Sequence, residues 1–156
     1  MVNILAHRGM WATKAEQNTI ISLLLAFKRG FGIETDIRDS NSKIVISHDL
    51  PKGNESTLEE FLDKIQKKTF NDNQKIALNI KADGLEPELV KLLFEYNVFD
   101  KCFVFDMSFP TMLSFSKHSE LKIATRISEF ESLPLLLERS EYIWVDSFED
   151  DFSDFK

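Results

Sequence analysis

The sequence predicts an α/β protein of the TIM-type (β/α) barrel class, incomplete, with about six barrel strands plus one accessory strand. Three observations lead there. Short apolar runs alternate with amphipathic segments along the 156 residues, which is the beat of βαβ units and a parallel sheet. Pro87, Pro110 and Pro134 stand where helices should open, the one part of a helix that tolerates proline. Polar clusters, among them His7-Arg8-Gly9, Glu34-Thr35-Asp36 and His48-Asp49, close several of the apolar runs. A barrel assembles its site at such strand ends, and a closed one needs at least ~200 residues. The expectation is therefore an open barrel, one short of a segment, or one whose gap another subunit covers, all within a single domain over residues 1–156.

Residues 2–6 read as the first strand, and residues 18–29 as a helix capped by Asn18 or Thr19 and ended by Gly30. Residues 32–37 form the second strand, residues 39–42 a turn, and residues 43–47 an accessory strand that folds back in a hairpin. Thr57-Leu58-Glu59-Glu60 is a capping box that opens a helix to residue 68. Strands at 75–80, 102–106, 122–127 and 142–145 then alternate with helices at 86–96, 110–117 and 134–139. The tail from Ser147 has no period.

With 43% hydrophobic and 29% charged residues the chain is globular rather than disordered. A net charge of −7 argues against a nucleic-acid partner. No long uncharged apolar run offers a transmembrane segment, and the start lacks a basic flank and a small-residue cleavage site. Cys102, the single cysteine, excludes an internal disulfide and sits in an apolar run that points to a buried, inert thiol. Together these features predict a cytoplasmic protein.

The polar clusters suit acid–base chemistry on a phosphate ester. His7 and His48 are the candidate catalytic pair, since imidazole gives and takes protons near neutrality. A lone histidine is more often structural. Two histidines that each close a strand, one followed by Arg and one by Asp, reverse that preference. Glu34 and Asp36 lie two apart on a strand and so share a face, where a cation between them would relieve their repulsion. Hard oxygen ligands favour Mg²⁺ or Ca²⁺. Asp49 would either add an oxygen to that metal or orient a histidine. Arg8 and Lys81 are candidate phosphate binders, and Asn79 shares a face with Lys81. Asn18 and Thr19 favour helix capping, although a helix start beside His7 would also suit an anion. Asp106, Arg126 and Asp146 close other strands, with a capping or salt-bridge role as the alternative to lining the same rim, and His118 reads as a surface residue.

These residues resemble the glycerophosphodiester phosphodiesterase family, within the phosphatidylinositol-phospholipase-C-like TIM-barrel phosphodiesterases. The pattern is His7-Arg8-Gly9, Glu16-Gln17-Asn18-Thr19, Gly32-Ile33-Glu34-Thr35-Asp36 and Val45-Ile46-Ser47-His48-Asp49, specific over residues 4–49 and thin beyond Lys81. The resemblance implies a divalent cation on Glu34 and Asp36, His7 and His48 as the acid–base pair, and Arg8 and Lys81 on the phosphate. It also implies attack on phosphorus by a neighbouring substrate hydroxyl, giving a cyclic phosphate that water then opens. Three departures stand out. Asn79 replaces an expected metal-binding glutamate, so metal affinity should fall. Glu16-Gln17 stands where the family has Pro-Glu. The last strands of the family's barrel have no counterpart.

The expected function is hydrolysis of a small phosphodiester. The alternative is a weakened or inactive module that binds a phosphorylated sugar or lipid head group. Open sheet edges also predict a homo-oligomer that covers them.

Overall fold

A computed structural model describes residues 3–66, 71 and 73–149. Its strands are β1 (Leu5–His7), β2 (Gly32–Ser40), β3 (Lys43–Ile46), β4 (Ile76–Ile80), β5 (Cys102–Phe105), β6 (Lys122–Ile127) and β7 (Tyr142–Val145). Its α-helices are α1 (Ile20–Lys28), α2 (Leu58–Gln66), α3 (Glu86–Glu95) and α4 (Phe109–Phe115). The strand order is β1-β2-β4-β5-β6-β7, every neighbour parallel, with β3 antiparallel to β2. The sheet curls into a half-barrel of six strands, so the incomplete α/β barrel expected from the sequence is the fold observed.

Local chemistry explains most elements. The Thr57 capping box forms, with Glu60 Oε2 accepting from the Thr57 amide at 2.9 Å and Thr57 Oγ1 from the Glu60 amide at 3.1 Å. From there α2 buries Leu58, Phe61, Leu62 and Ile65, one stripe at helical spacing. Pro87 and Pro110 lie in the first turns of α3 and α4. Asn41 and Ser42, with φ of 50° and 62°, make the two-residue turn whose twist suits the β2–β3 hairpin.

The differences from the expected boundaries have causes. Thr19 alone caps α1, its Oγ1 accepting from the Ser22 amide, because Asn18 is recruited elsewhere. The helix expected at 134–139 is only a 3-10 turn, Leu137–Arg139. Leu136 enters it in a left-handed conformation, φ 51°, and the Leu135 carbonyl accepts from Thr125 Oγ1 at 2.6 Å rather than starting a helical ladder. Val2, Lys67, Lys68 and the tail from Asp150 onward fall outside the described residues.

Each face of the sheet has its own core. Outside, Ile33, Ile37, Leu78 and Val104 pack under helix residues such as Leu23, Phe61, Leu89 and Phe115. Inside the curl, Ala77, Phe103, Phe105 and Ala124 pack with Leu5, Tyr142 and Trp144. Cys102 is 1% exposed on the outer face, and burial raises its thiol pKa well above the ordinary range.

Candidate active site

Period-2 geometry sends Glu34 and Asp36 to the inner face of β2, level with His7 on β1 and Asn79 on β4. The register pairs His7 with Glu34 and Asp36 with Asn79. Arg8 and Lys81 follow β1 and β4 directly, and the Lys81 amide donates to the Ile37 carbonyl at 3.0 Å. His48 follows β3, where the Ser47 amide donates to the Asp36 carbonyl. The fold thus brings His7, Arg8, Glu34, Asp36, His48, Asn79 and Lys81 to one rim, at the C-terminal ends of the strands.

Asp36 is the hub. It is fully buried, with Arg8 Nε 2.9 Å and Asn18 Nδ2 2.8 Å from Oδ2, and Lys81 Nζ 3.7 Å from Oδ1. Lys81 also binds Asp106 at 2.8 Å, and Asp106 in turn binds Arg126 Nη1 at 2.5 Å. Arg126 Nε pairs with Glu131. A chain of alternating charge therefore crosses the rim from β1 to β6. Arg8, Asn18 and Asp106 hold left-handed backbone, φ 57°, 56° and 59°, a conformation that costs of order 1–3 kcal/mol each and gathers at functional sites.

Glu34 is 3% exposed. Burial first, then the charge of Asp36, raises its pKa to about 7, against hydrogen bonds from the Arg8 amide and Asn79. Burial, and next the Arg8 guanidinium, holds His7 below the usual histidine value. The 3.7 Å approach of His7 Nε2 to Glu34 is therefore a polar contact between groups that both resist charging, not a strong ion pair. His7 also feels the charge of His48, which places the two imidazoles in one field. His48 Nδ1 lies 2.9 Å from Asp49 Oδ1, with the Asp49 side chain 90% exposed. Of the two roles open to Asp49, the contact matches orientation of a histidine.

The donor chemistry fits a hard cation. Asp36 Oδ1 and Asn79 Oδ1 are both buried without a hydrogen-bond partner, on register neighbours, and the Glu34 carboxyl adjoins them. Orphaned buried oxygens call for an ion or water. Asn79 supplies no charge, and no cluster of three His, Cys, Asp or Glu side chains forms among the described residues.

Sequence reasoning assigned Asn18 to capping. Its Nδ2 instead donates to Asp36, while Oδ1 accepts from Thr35 Oγ1 at 2.9 Å, and its amide donates to the Arg8 carbonyl at 3.0 Å. Its left-handed φ of 56°, to which asparagine is suited, turns the side chain to this task, and the sequence signal for it was its place in the family-like segment Glu16-Gln17-Asn18-Thr19. Gln17 Oε1 lies 3.4 Å from Arg8 Nη1. Asp106 and Arg126 line the rim through their salt bridge, and Asp146, which accepts from the Ser147 amide, adds its charge to those around Arg126. His118 is half-buried against Glu86, not a free surface residue.

A half-barrel of parallel strands with a charged C-terminal rim defines a barrel-type α/β protein. Its fold resembles glycerophosphodiester phosphodiesterases. A candidate enzyme of that kind from Galdieria sulphuraria aligns with a TM-score of 0.72 at 20% identity, over 94% of this chain and 75% of that one. A glycerophosphodiester phosphodiesterase from Agrobacterium tumefaciens aligns at 0.65 and 17% identity, over 81% and 67%. A phosphodiesterase from Oleispira antarctica, solved with its product sn-glycerol-3-phosphate, aligns at 0.60 and 19% identity, over 84% and 68%. No family model matches the chain, and no curated protein matches it in sequence. Among the described residues no helix is long and apolar enough to cross a membrane.

Proposed function

We propose that the chain hydrolyses a small, glycerophosphodiester-like phosphodiester with the help of Mg²⁺ or Ca²⁺. The observation that carries this reading is the convergence of two imidazoles, two cations and a buried Glu34–Asp36–Asn79 oxygen set on one barrel rim. Glu34, Asp36 and the Asn79 amide oxygen would hold the cation. When bound, it would supply charge stabilisation to the phosphoryl oxygens and the attacking oxygen.

The chain's own groups do the rest. Arg8, fixed by Asp36, and Lys81, fixed by Asp36 and Asp106, present positive charge to the phosphate. His7, kept from charging by burial and Arg8, takes the proton from the attacking substrate hydroxyl. His48, held at Nδ1 by Asp49, gives a proton to the departing alcohol as its P–O bond breaks. Opening of the cyclic ester reverses the roles: His48 takes a proton from water, and His7 returns one to the ring oxygen that leaves phosphorus. Replacing either histidine with alanine should slow release of alcohol by about 10²–10⁴ in a metal-supplemented diesterase assay, and wild-type turnover in both variants would defeat the assignment.

A second reading follows from Asn79 and from the Arg8–Asp36 contact, which together lower the negative charge offered to a metal. In it the rim binds a phosphorylated head group without cleaving it. Calorimetry that finds metal-independent binding of a phosphate ester and no product would favour this module. Self-association is proposed for either reading, because β1 and β7 end the sheet and Ile143 and Val145 on β7 are 49% and 44% exposed. Light scattering showing a strict monomer would remove it.

A further inference from the structure

Two loops of the rim are tied to each other just beyond the ion pair they carry. Residues 81–85 link β4 to α3, and residues 106–108 link β5 to α4. Lys81 opens the first loop and Asp106 the second, and Asp106 Oδ2 takes Lys81 Nζ at 2.8 Å. Two residues further along each loop, Ser108 Oγ donates to Asp83 Oδ1 at 2.6 Å. Thr111 Oγ1, in the first turn of α4, donates to the same oxygen at 2.7 Å. One carboxylate oxygen of the β4 loop thus gathers both hydroxyls at the start of α4. The Ser108 bond first, then the Thr111 bond, holds the Asp83 carboxyl below the usual aspartate pKa.

The clip overrides local preference. Ser108 is the N-cap residue of α4, yet its side chain does not cap that helix. Its hydroxyl goes instead to a residue twenty-five positions away. Thr111 is buried, and its hydroxyl is satisfied by Asp83. Asp106, in left-handed backbone, is bracketed by Lys81 and Arg126 at its carboxylate and by the clip two residues on. The consequence lies in where Lys81 is held. Asp36 Oδ1 stands 3.7 Å from Lys81 Nζ and has no hydrogen-bond partner. The closer hold of Asp106 on Lys81 leaves that buried oxygen open.

Resting on the proposed phosphate role of Lys81, we propose that Asp83 is a positioning residue. Through Ser108 and Thr111 it locks the β4 and β5 loops together, so that Asp106 holds the Lys81 ammonium ready for a phosphate and off Asp36.

The test is calorimetric titration of the folded protein, supplied with Mg²⁺ or Ca²⁺, with sn-glycerol 3-phosphate, a readout that needs no turnover. Asp83→Ala should weaken binding by about tenfold, the scale of one misplaced charged contact. Asp83→Asn should bind within about twofold of the parent, because its amide oxygen accepts both hydroxyls. The pair Ser108→Ala/Thr111→Val, which reaches the clip from α4, should match Asp83→Ala. The triple variant should lose no more than either, since all remove one interaction. Tyr96→Phe deletes a comparable hydroxyl–carboxylate bond, from Tyr96 to Asp63 of α2 at 2.5 Å, and should leave affinity unchanged. Parent-like affinity in Asp83→Ala, additive losses in the triple variant, or an equal loss in Tyr96→Phe overturns the positioning role. So does an equal loss in Asp83→Asn and Asp83→Ala, which would assign the effect to charge alone. Each of these leaves the phosphodiesterase reading standing. A parent protein that binds no glycerol 3-phosphate has no phosphate site at Lys81, which overturns the positioning role together with the reading it rests on.

Discussion

The inner face of this one sheet has two unlike halves. Along β1, β2 and β4 it carries His7, Glu34, Asp36 and Asn79. Along β5 and β7 it carries Phe103, Phe105, Tyr142 and Trp144, with Ala124 of β6 between them and ring centroids 4.8 Å apart for Phe103–Tyr142 and 4.4 Å for Phe105–Trp144. Parallel strands support both. The polar half accepts buried charge, orphaned oxygens and the left-handed backbone of Arg8 and Asn18. The aromatic half contributes close-packed area and fills the curl of the open barrel. The contrast teaches that a barrel sheet need not be closed to separate function from stability, provided one half of its interior is given over to packing.

The largest effect should come from the polar half. His48→Ala should lower kcat by about 10²–10⁴ and leave the urea midpoint near that of the parent, since the residue is exposed at the rim. Phe105→Ala should do the reverse. It empties a fully buried ring position and should cost about 3–5 kcal/mol of unfolding free energy, read by denaturant titration. Equal loss of stability in both variants would erase the division.

Glu34 sharpens the comparison through pH. Its folded pKa of about 7 exceeds the ordinary 4.5, so the native state holds the proton more tightly than the unfolded chain. Metal-free stability is therefore greatest below pH 4.5 as far as this group is concerned, and falls as pH rises through 7. The full difference is roughly 3 kcal/mol. Glu34→Gln should flatten that slope in melts at successive pH values, and an unchanged slope would contradict the burial argument. Asn79→Glu should tighten metal binding by about tenfold, a fold-change matching ~1.4 kcal/mol, in a calorimetric titration. Thr57→Ala, remote from the rim, should cost only about 1 kcal/mol through its cap.

Much of the fold was legible because its signals are local. Alternation fixed the strands, and Pro87, Pro110 and the Thr57 box marked three helix starts. Pro134 misled because tertiary bonds won: Thr125 captured the Leu135 carbonyl, and Leu136 turned left-handed. The seven rim residues were visible as polar groups at or near strand ends, whereas Asn18, named within Glu16-Gln17-Asn18-Thr19, was assigned to capping, since its partner Asp36 lies eighteen positions away. The hydrogen bonds between them exist only once β1 and β2 pair. The aromatic half was equally hidden, because inward and outward positions on a buried parallel strand are both apolar.

Cys102 closes the outer layer of β5, directly behind the aromatic wall. A thiol so enclosed reacts with an alkylating reagent only when the strand around it opens. Its labelling rate is thus a built-in reporter of how often the packed half breathes, one that needs no added probe and stays silent to events confined to the rim.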